Sequence, residues 1–142
     1  MRTQSKIRRA GFTLAELMVV IVIIGLLATM VVPNVMKKLF QANEVKAKSD
    51  IMAIAEAVTG YAIENGGRYP DNLEALVTPD ANGHSFLDQE TVPKDPWGNE
   101  YVFEPAVGGS KFRVISYGKD GIPGGEGDDS DLDNISIRNQ ER

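Results

Sequence analysis

Arg8-Arg9-Ala10-Gly11-Phe12-Thr13-Leu14-Ala15-Glu16-Leu17, with the apolar run that continues to Val32, decides how the 142-residue chain is built. Between Phe12 and Val32 there are 21 residues and one charge, Glu16. Ahead of Phe12 stand Arg2, Lys6, Arg8 and Arg9, with no acidic residue. A helix rising about 1.5 Å per residue crosses a bilayer with about 20 apolar residues, so this run is just long enough. It does not read as an ordinary secretory signal, because no small-residue cleavage site follows it; the small residue, Gly11, precedes it. Cleavage before the run would leave the apolar helix on the mature protein.

A plain anchor does not account for Glu16. A carboxylate within a spanning helix costs about 2.5–3.5 kcal/mol on insertion scales and usually has a partner. One reading places it among the lipid head groups at the helix start. The other pairs it with a positive charge inside an assembly. Cleavage between Gly11 and Phe12 would expose a new α-amine, and a neighbouring subunit could bring its own amine to Glu16. A pair formed in a low-dielectric setting would fix the stagger between packed helices.

The remaining features agree with one small domain on that helix. About 110 residues follow Val32, enough for one modest core. The net charge is −5 although the leader is basic, so the mature chain is acidic, which argues against a nucleic-acid partner. Four leader cations put the N-terminus in the cytoplasm by the positive-inside rule and the rest outside the inner membrane. Cysteine is absent. Pro33 is expected to kink or locally unwind the helix. Beyond it Val35, Leu39, Ala42, Val45, Ile51, Ile54, Val58, Tyr61 and Ala62 form an apolar stripe at steps of three and four. Glu44 and Lys48 form an i,i+4 pair, and Asn65-Gly66-Gly67 stops the helix.

Asp71 with Glu74 predicts a capping box for a short helix whose inner face is Leu73, Leu76 and Val77. Thr78–Ser85 reads as loop, and the one histidine, His84, as an exposed member of it. Asp95-Pro96-Trp97-Gly98-Asn99 reads as a tight turn with Trp97 as its anchor. Tyr101 and Phe103, then Phe112, Val114 and Ile115, form two strands of an antiparallel hairpin around residues 108–110. From Asp120 to Asp133 there are six acids and no base in a glycine-rich stretch. Calcium takes six to eight oxygens from carboxylates and carbonyls in flexible loops, and a solvated acidic tail is the competing reading.

Gly11-Phe12-Thr13-Leu14-x-Glu16 and the run behind it resemble the class III signal of type IV pilins and pseudopilins. The resemblance implies cleavage between Gly11 and Phe12 by a prepilin peptidase and N-methylation of Phe12. It also gives Glu16 the role of neutralising a neighbour's N-terminus and makes Pro33 the family's helix-breaking proline. Asp95-Pro96-Trp97-Gly98-Asn99-x-Tyr101 and Ser116-Tyr117-Gly118-x-Asp120-Gly121-x-x-Gly124-Gly125 are similar to the major pseudopilins of type II secretion. That implies a pilin-like α+β fold: residues 1–11 as a removed leader, 12–33 as transmembrane and assembly helix, 34–142 as periplasmic domain with a small antiparallel sheet. It implies calcium in the C-terminal loop, on the Tyr117 carbonyl, Asp120, Asp128 and Asp131, with Asp129 as substitute. It further implies a non-enzymatic subunit of a helical homopolymer, the periplasmic pseudopilus, that drives export of folded proteins across the outer membrane. Its partners would be minor pseudopilins and an inner-membrane assembly platform.

Ser130-Asp131-Leu132 and the polar tail to Arg142 depart from the family's usual ending, and Leu76–Val92 is short. A type IV pilin or competence-type pseudopilin stays open as the alternative. A membrane-anchored periplasmic enzyme is disfavoured: no nucleophile motif or phosphate loop occurs in the sequence.

Overall fold

The structure, a computed structural model, describes residues 11–81, 83–106 and 111–140. The chain divides into two compact units, residues up to Leu39 and residues from Phe40 onward. Helix α1 (Leu14–Glu64) contributes its first part to one and the remainder to the other. Along Leu14–Leu39 apolar side chains cover every side of the helix and every residue is exposed. Such a helix has no polar face to offer water, which is the signature of lipid or neighbouring helices. By length and composition it suffices to cross a membrane. The unwinding expected at Pro33 is not seen: α1 passes through it in helical conformation. Proline removes one N–H, a single bond in a long ladder. Next to it the Asn34 side-chain amide donates to the Met30 carbonyl at 3.2 Å.

In the second unit the buried face of α1 is Ala47, Ile51, Ile54, Ala55, Ala57, Val58 and Ala62. The predicted stripe therefore enters the domain core only from Ile51 onward. Val35, Leu39, Ala42 and Val45 are exposed, and Ala47 begins the core face. Ile51, Ile54 and Val58 join the alanines of this face in one core with Leu73, Leu76, Tyr101, Val114 and Leu132. The helix ends as its glycines dictate. Gly66 (φ 67°) and Gly67 (φ 89°) take left-handed conformations, and the Gly67 N–H donates to the Ala62 carbonyl at 2.7 Å. This is a Schellman closure of the last turn.

The predicted short helix is a 3₁₀ turn, Leu73–Leu76, and its cap is Asn72 rather than Asp71. The Asn72 carboxamide oxygen accepts from the Ala75 N–H at 3.1 Å, doing what the Asp71–Glu74 box was expected to do. Leu73 and Leu76 are buried as expected, and Val77 is half-buried. Strands β1 (Val102–Glu104) and β2 (Arg113–Ser116) pair antiparallel, Phe103 opposite Val114. Residues 107–110, where the hairpin turn was placed, lie outside the described residues.

A third strand and a second helix come from the segment read as a polar tail. Strand β3 (Leu132–Asp133) pairs antiparallel with β2, and helix α2 (Asn134–Gln140) follows at once. Asp133 caps α2, its Oδ1 accepting the N–H groups of Ile135 at 2.8 Å and Ser136 at 3.0 Å. Ile137 is 4% exposed in the common core. Asn134 is buried, and its side chain continues the ladder. Its Oδ1 accepts from the Val114 N–H at 2.9 Å, and its Nδ2 donates to the Phe112 carbonyl at 3.4 Å. Two short elements thus complete a three-stranded sheet ordered β1-β2-β3.

Candidate functional site

Two sites follow from the sequence, one in each unit. At the first, Gly11, Phe12 and Thr13 precede α1 in non-helical backbone and are exposed, Phe12 by 84%. An exposed, non-helical peptide link is what a processing protease needs. Glu16 does not hang free in this subunit. Its Oε2 accepts from the Thr13 N–H at 2.8 Å and from the Thr13 hydroxyl at 3.0 Å. The Glu16 N–H donates to the Thr13 Oγ at 3.2 Å. This is a complete capping box, with Thr13 as N-cap and Glu16 three residues on. Neither reading of Glu16 in the sequence foresaw it, although Thr13-Leu14-Ala15-Glu16 spells the signature outright.

The second site is the loop from Tyr117 to Asp131. Its backbone is folded tightly on itself. The Lys119 N–H donates to the Asp128 carbonyl at 2.9 Å, and Gly127–Asp129 form a 3₁₀ turn. Gly125 (φ 92°) lies so close to Asp129 that a Cβ there would stand 2.4 Å from the Asp129 carbonyl oxygen. Both carboxylate oxygens of Asp131 accept from the Gly124 N–H at 3.0 Å. Asp120 Oδ1 accepts from the Ile122 N–H at 3.2 Å. Tyr117 is half-buried at the end of β2, Asp128 and Asp129 are half-buried, and Asp120 and Asp131 are exposed. The stretch is ordered structure and not a loose acidic tail.

Calcium must be tested against this arrangement. The donors are all oxygen, the charge is strongly negative, and the positive-φ glycines close the loop, which suits a hard cation. The loop does not gather three acidic side chains into one group among the described residues. What it can offer is fewer carboxylates together with backbone carbonyls.

The loop is flanked by a turn that sequence reading took only as a strand entry. Asp95 is 4% exposed, and its Oδ1 accepts the N–H groups of Trp97 at 3.1 Å and Asn99 at 2.7 Å. Trp97 packs half-buried against the core, as the anchor of that turn. Tyr101, at the turn's exit, donates its hydroxyl to Asp50 on α1 at 3.1 Å. Burial, reinforced by that carboxylate, pushes the Tyr101 phenol well above its ordinary value.

Residues 6–32 match the prokaryotic N-terminal methylation motif. Residues 34–135 match the family described as type II secretion system (T2SS), protein G. The chain belongs to the protein G family of type II secretion, the major pseudopilins. The core protein G of Vibrio cholerae is 40% identical over 139 residues, covering 92% of this chain and 94% of that protein. That of Pseudomonas aeruginosa is 41% identical over 138 residues, covering 89% and 95%. Among solved structures, the major pseudopilin of the type 2 secretion system of enterohaemorrhagic Escherichia coli aligns with a TM-score of 0.57 at 29% identity. It matches 75% of this chain and 97% of that one. The long helix with a small antiparallel sheet is the pseudopilin fold, as the α+β expectation held.

One open cleft in the domain, about 910 Å³, is lined by Asp71, Glu74, Thr78, Glu90, Lys94 and Tyr101 among others. His84 is not among its lining residues. His84 is exposed, its ring edge-on to Phe86 at 5.6 Å.

Proposed function

We propose that this pseudopilin is a structural subunit that polymerises helically through α1 and, as a short periplasmic fibre, drives export of folded proteins across the outer membrane. The observation that carries the reading is the Leu14–Leu39 segment, apolar on every side and exposed throughout among the described residues. Exposed apolar area of that extent requires lipid before assembly and neighbouring helices after it. The topology that follows is a cytoplasmic N-terminus and a periplasmic domain, with minor pseudopilins and the inner-membrane platform as partners.

In this reading a prepilin peptidase cuts between Gly11 and Phe12, and the new N-terminus is methylated. Glu16 then leaves its Thr13 contacts to meet the amine of a neighbouring subunit. Pro33, tolerated within the helix of one chain, marks where α1 can yield on packing. Calcium is held by Asp120, Asp128 and Asp131 with the Tyr117 carbonyl, Asp129 being the substitute. The bound ion would supply positive charge that orders the loop and shapes the subunit's outer surface. No catalytic step is assigned to the chain.

Glu16→Ala tests the assembly reading. The variant is expected to insert in membranes and be processed, yet to form few fibres when overproduced; fibres as abundant as the parent's would refute the pairing. Asp120→Ala tests the ion. Calcium should protect the parent's loop from protease and leave the variant equally sensitive with or without it.

A further inference from the structure

The turn at 95–99 and the loop at 117–131 are joined by a continuous set of hydrogen bonds. The second carboxylate oxygen of Asp95 accepts from the Ser116 hydroxyl at 2.8 Å, and both residues are buried. Ser116 Oγ in turn accepts from the Gly118 N–H at 3.3 Å. The Asn99 side chain reaches the same residue from its other side, Nδ2 donating to the Gly118 carbonyl at 2.8 Å. The turn therefore holds the carbonyl of this glycine directly through Asn99, and holds its N–H indirectly, through the Ser116 hydroxyl that Asp95 anchors. Gly118 (φ 67°) passes so close to the later part of the loop that a Cβ would stand 2.6 Å from the Asp128 carbonyl oxygen. The next N–H, from Lys119, bonds that same carbonyl. The Asn99 side chain also lies against Gly121, within 3.2 Å of where a Cβ would be.

We propose that Asp95, Ser116 and Asn99 are positioning residues for the cation loop: they fix Gly118, and Gly118 fixes the backbone at Asp128. The proposal rests on the calcium reading above for its ligand. The physical reason is preorganisation. A loop that must order itself on binding loses part of its binding free energy to that ordering. Groups outside the ligand shell that hold the backbone in place remove the loss. Asp95 is suited to the task because a buried carboxylate persists only when its lone pairs are satisfied, and here three donors satisfy them. Asp-Pro-Trp-Gly-Asn is thus more than the entry to a strand. It is the mould on which the later glycine-rich stretch is cast.

The test uses the full, leader-processed chain in detergent micelles, with Asn99→Ala and Ser116→Ala. Calcium chloride is titrated by calorimetry, and backbone amide exchange is followed in EDTA. Asn99→Ala removes one side-chain hydrogen bond and Ser116→Ala two, so calcium affinity should fall about three- to tenfold for the first and further for the second. Lys119 and Asp129 amides should exchange faster, while Ile54 and Val114 in the core keep the parent's rates. Asn99→Asp, which keeps the shape and loses the donor, should behave like Asn99→Ala. Parent-like affinity and exchange in both variants would overturn the proposal, as would faster exchange throughout the core. If the parent itself takes up no calcium, the ion reading fails, and exchange at Lys119 and Asp129 alone decides the positioning role.

Discussion

The two parts of α1 share a backbone and little else. Residues 14–39 carry apolar side chains on all sides and bury none of them. Residues 40–64 bury one face, from Ala47 to Ala62, and leave their charged residues, with Val45 and Ile63, outside it. Glu44–Lys48 and Lys46–Asp50 pair there, each at 2.7 Å. Helical conformation is the same in both, so propensity does not decide where each part lives. Pattern does. An all-round apolar helix finds its partners outside its own chain, whereas a one-sided helix finds them within.

Mutation can break that contrast. Ile54→Ala should destabilise the folded domain by about 2–5 kcal/mol, because Ile54 is 1% exposed in the core. Ile24→Ala, at a position 60% exposed, should shift the same denaturant midpoint by less than about 0.5 kcal/mol. If the two cost alike, the division between the parts fails. Gly125→Ala should come next, at about 1–3 kcal/mol, since it meets both a positive φ and the Asp129 carbonyl. Its effect should appear as loop proteolysis before global unfolding.

Asp133 sharpens the contrast through pH. Burial works to raise its carboxyl, but the N–H groups of Ser136 and Ile135, with Arg113 at 3.2 Å, outweigh it and hold it below the ordinary 3.8. A depressed carboxylate stabilises the fold above pH ~4 and loses that contribution as pH falls through its lowered value. Asp133→Ala should cost about 1 kcal/mol near neutrality and flatten the acid limb of a stability–pH curve. Thr13→Ala is the counterpart in the membrane part. Loss of the cap should cost about 1 kcal/mol locally, seen as faster amide exchange at Leu14–Leu17 with the domain midpoint unmoved. Smallest of all, Lys48→Ala should cost about 0.3–0.5 kcal/mol, since its pair with Glu44 is half exposed.

What could be read from the chain followed the strength of its periodic signals. The apolar run, the Gly66-Gly67 stop and the antiparallel pairing of two short strands rest on local rules that tertiary context does not reverse. The beginning of the core face could not be read, because Val35, Leu39, Ala42 and Val45 continue the same period yet are exposed among the described residues. Asn72 displaced Asp71 as cap for a similar reason: both are good caps one residue apart, and only the approach of Leu73 and Leu76 to the core chooses. The tail was misread because Asn134 and Asp133 count as polar in any pattern, although both use their side chains as backbone substitutes. The bond from Asn99 to Gly118 links positions too far apart for any motif to announce.

Asn134 also bears on how copies of this chain keep apart where they should. Strand β3 is only two residues long, and beyond it β2 would present bare amide and carbonyl groups along its margin. A carboxamide fills that stretch and turns the chain away into α2. Bare strand edges of that kind are templates for strand-to-strand pairing between copies. Here that margin of β2 is sealed by a single side chain.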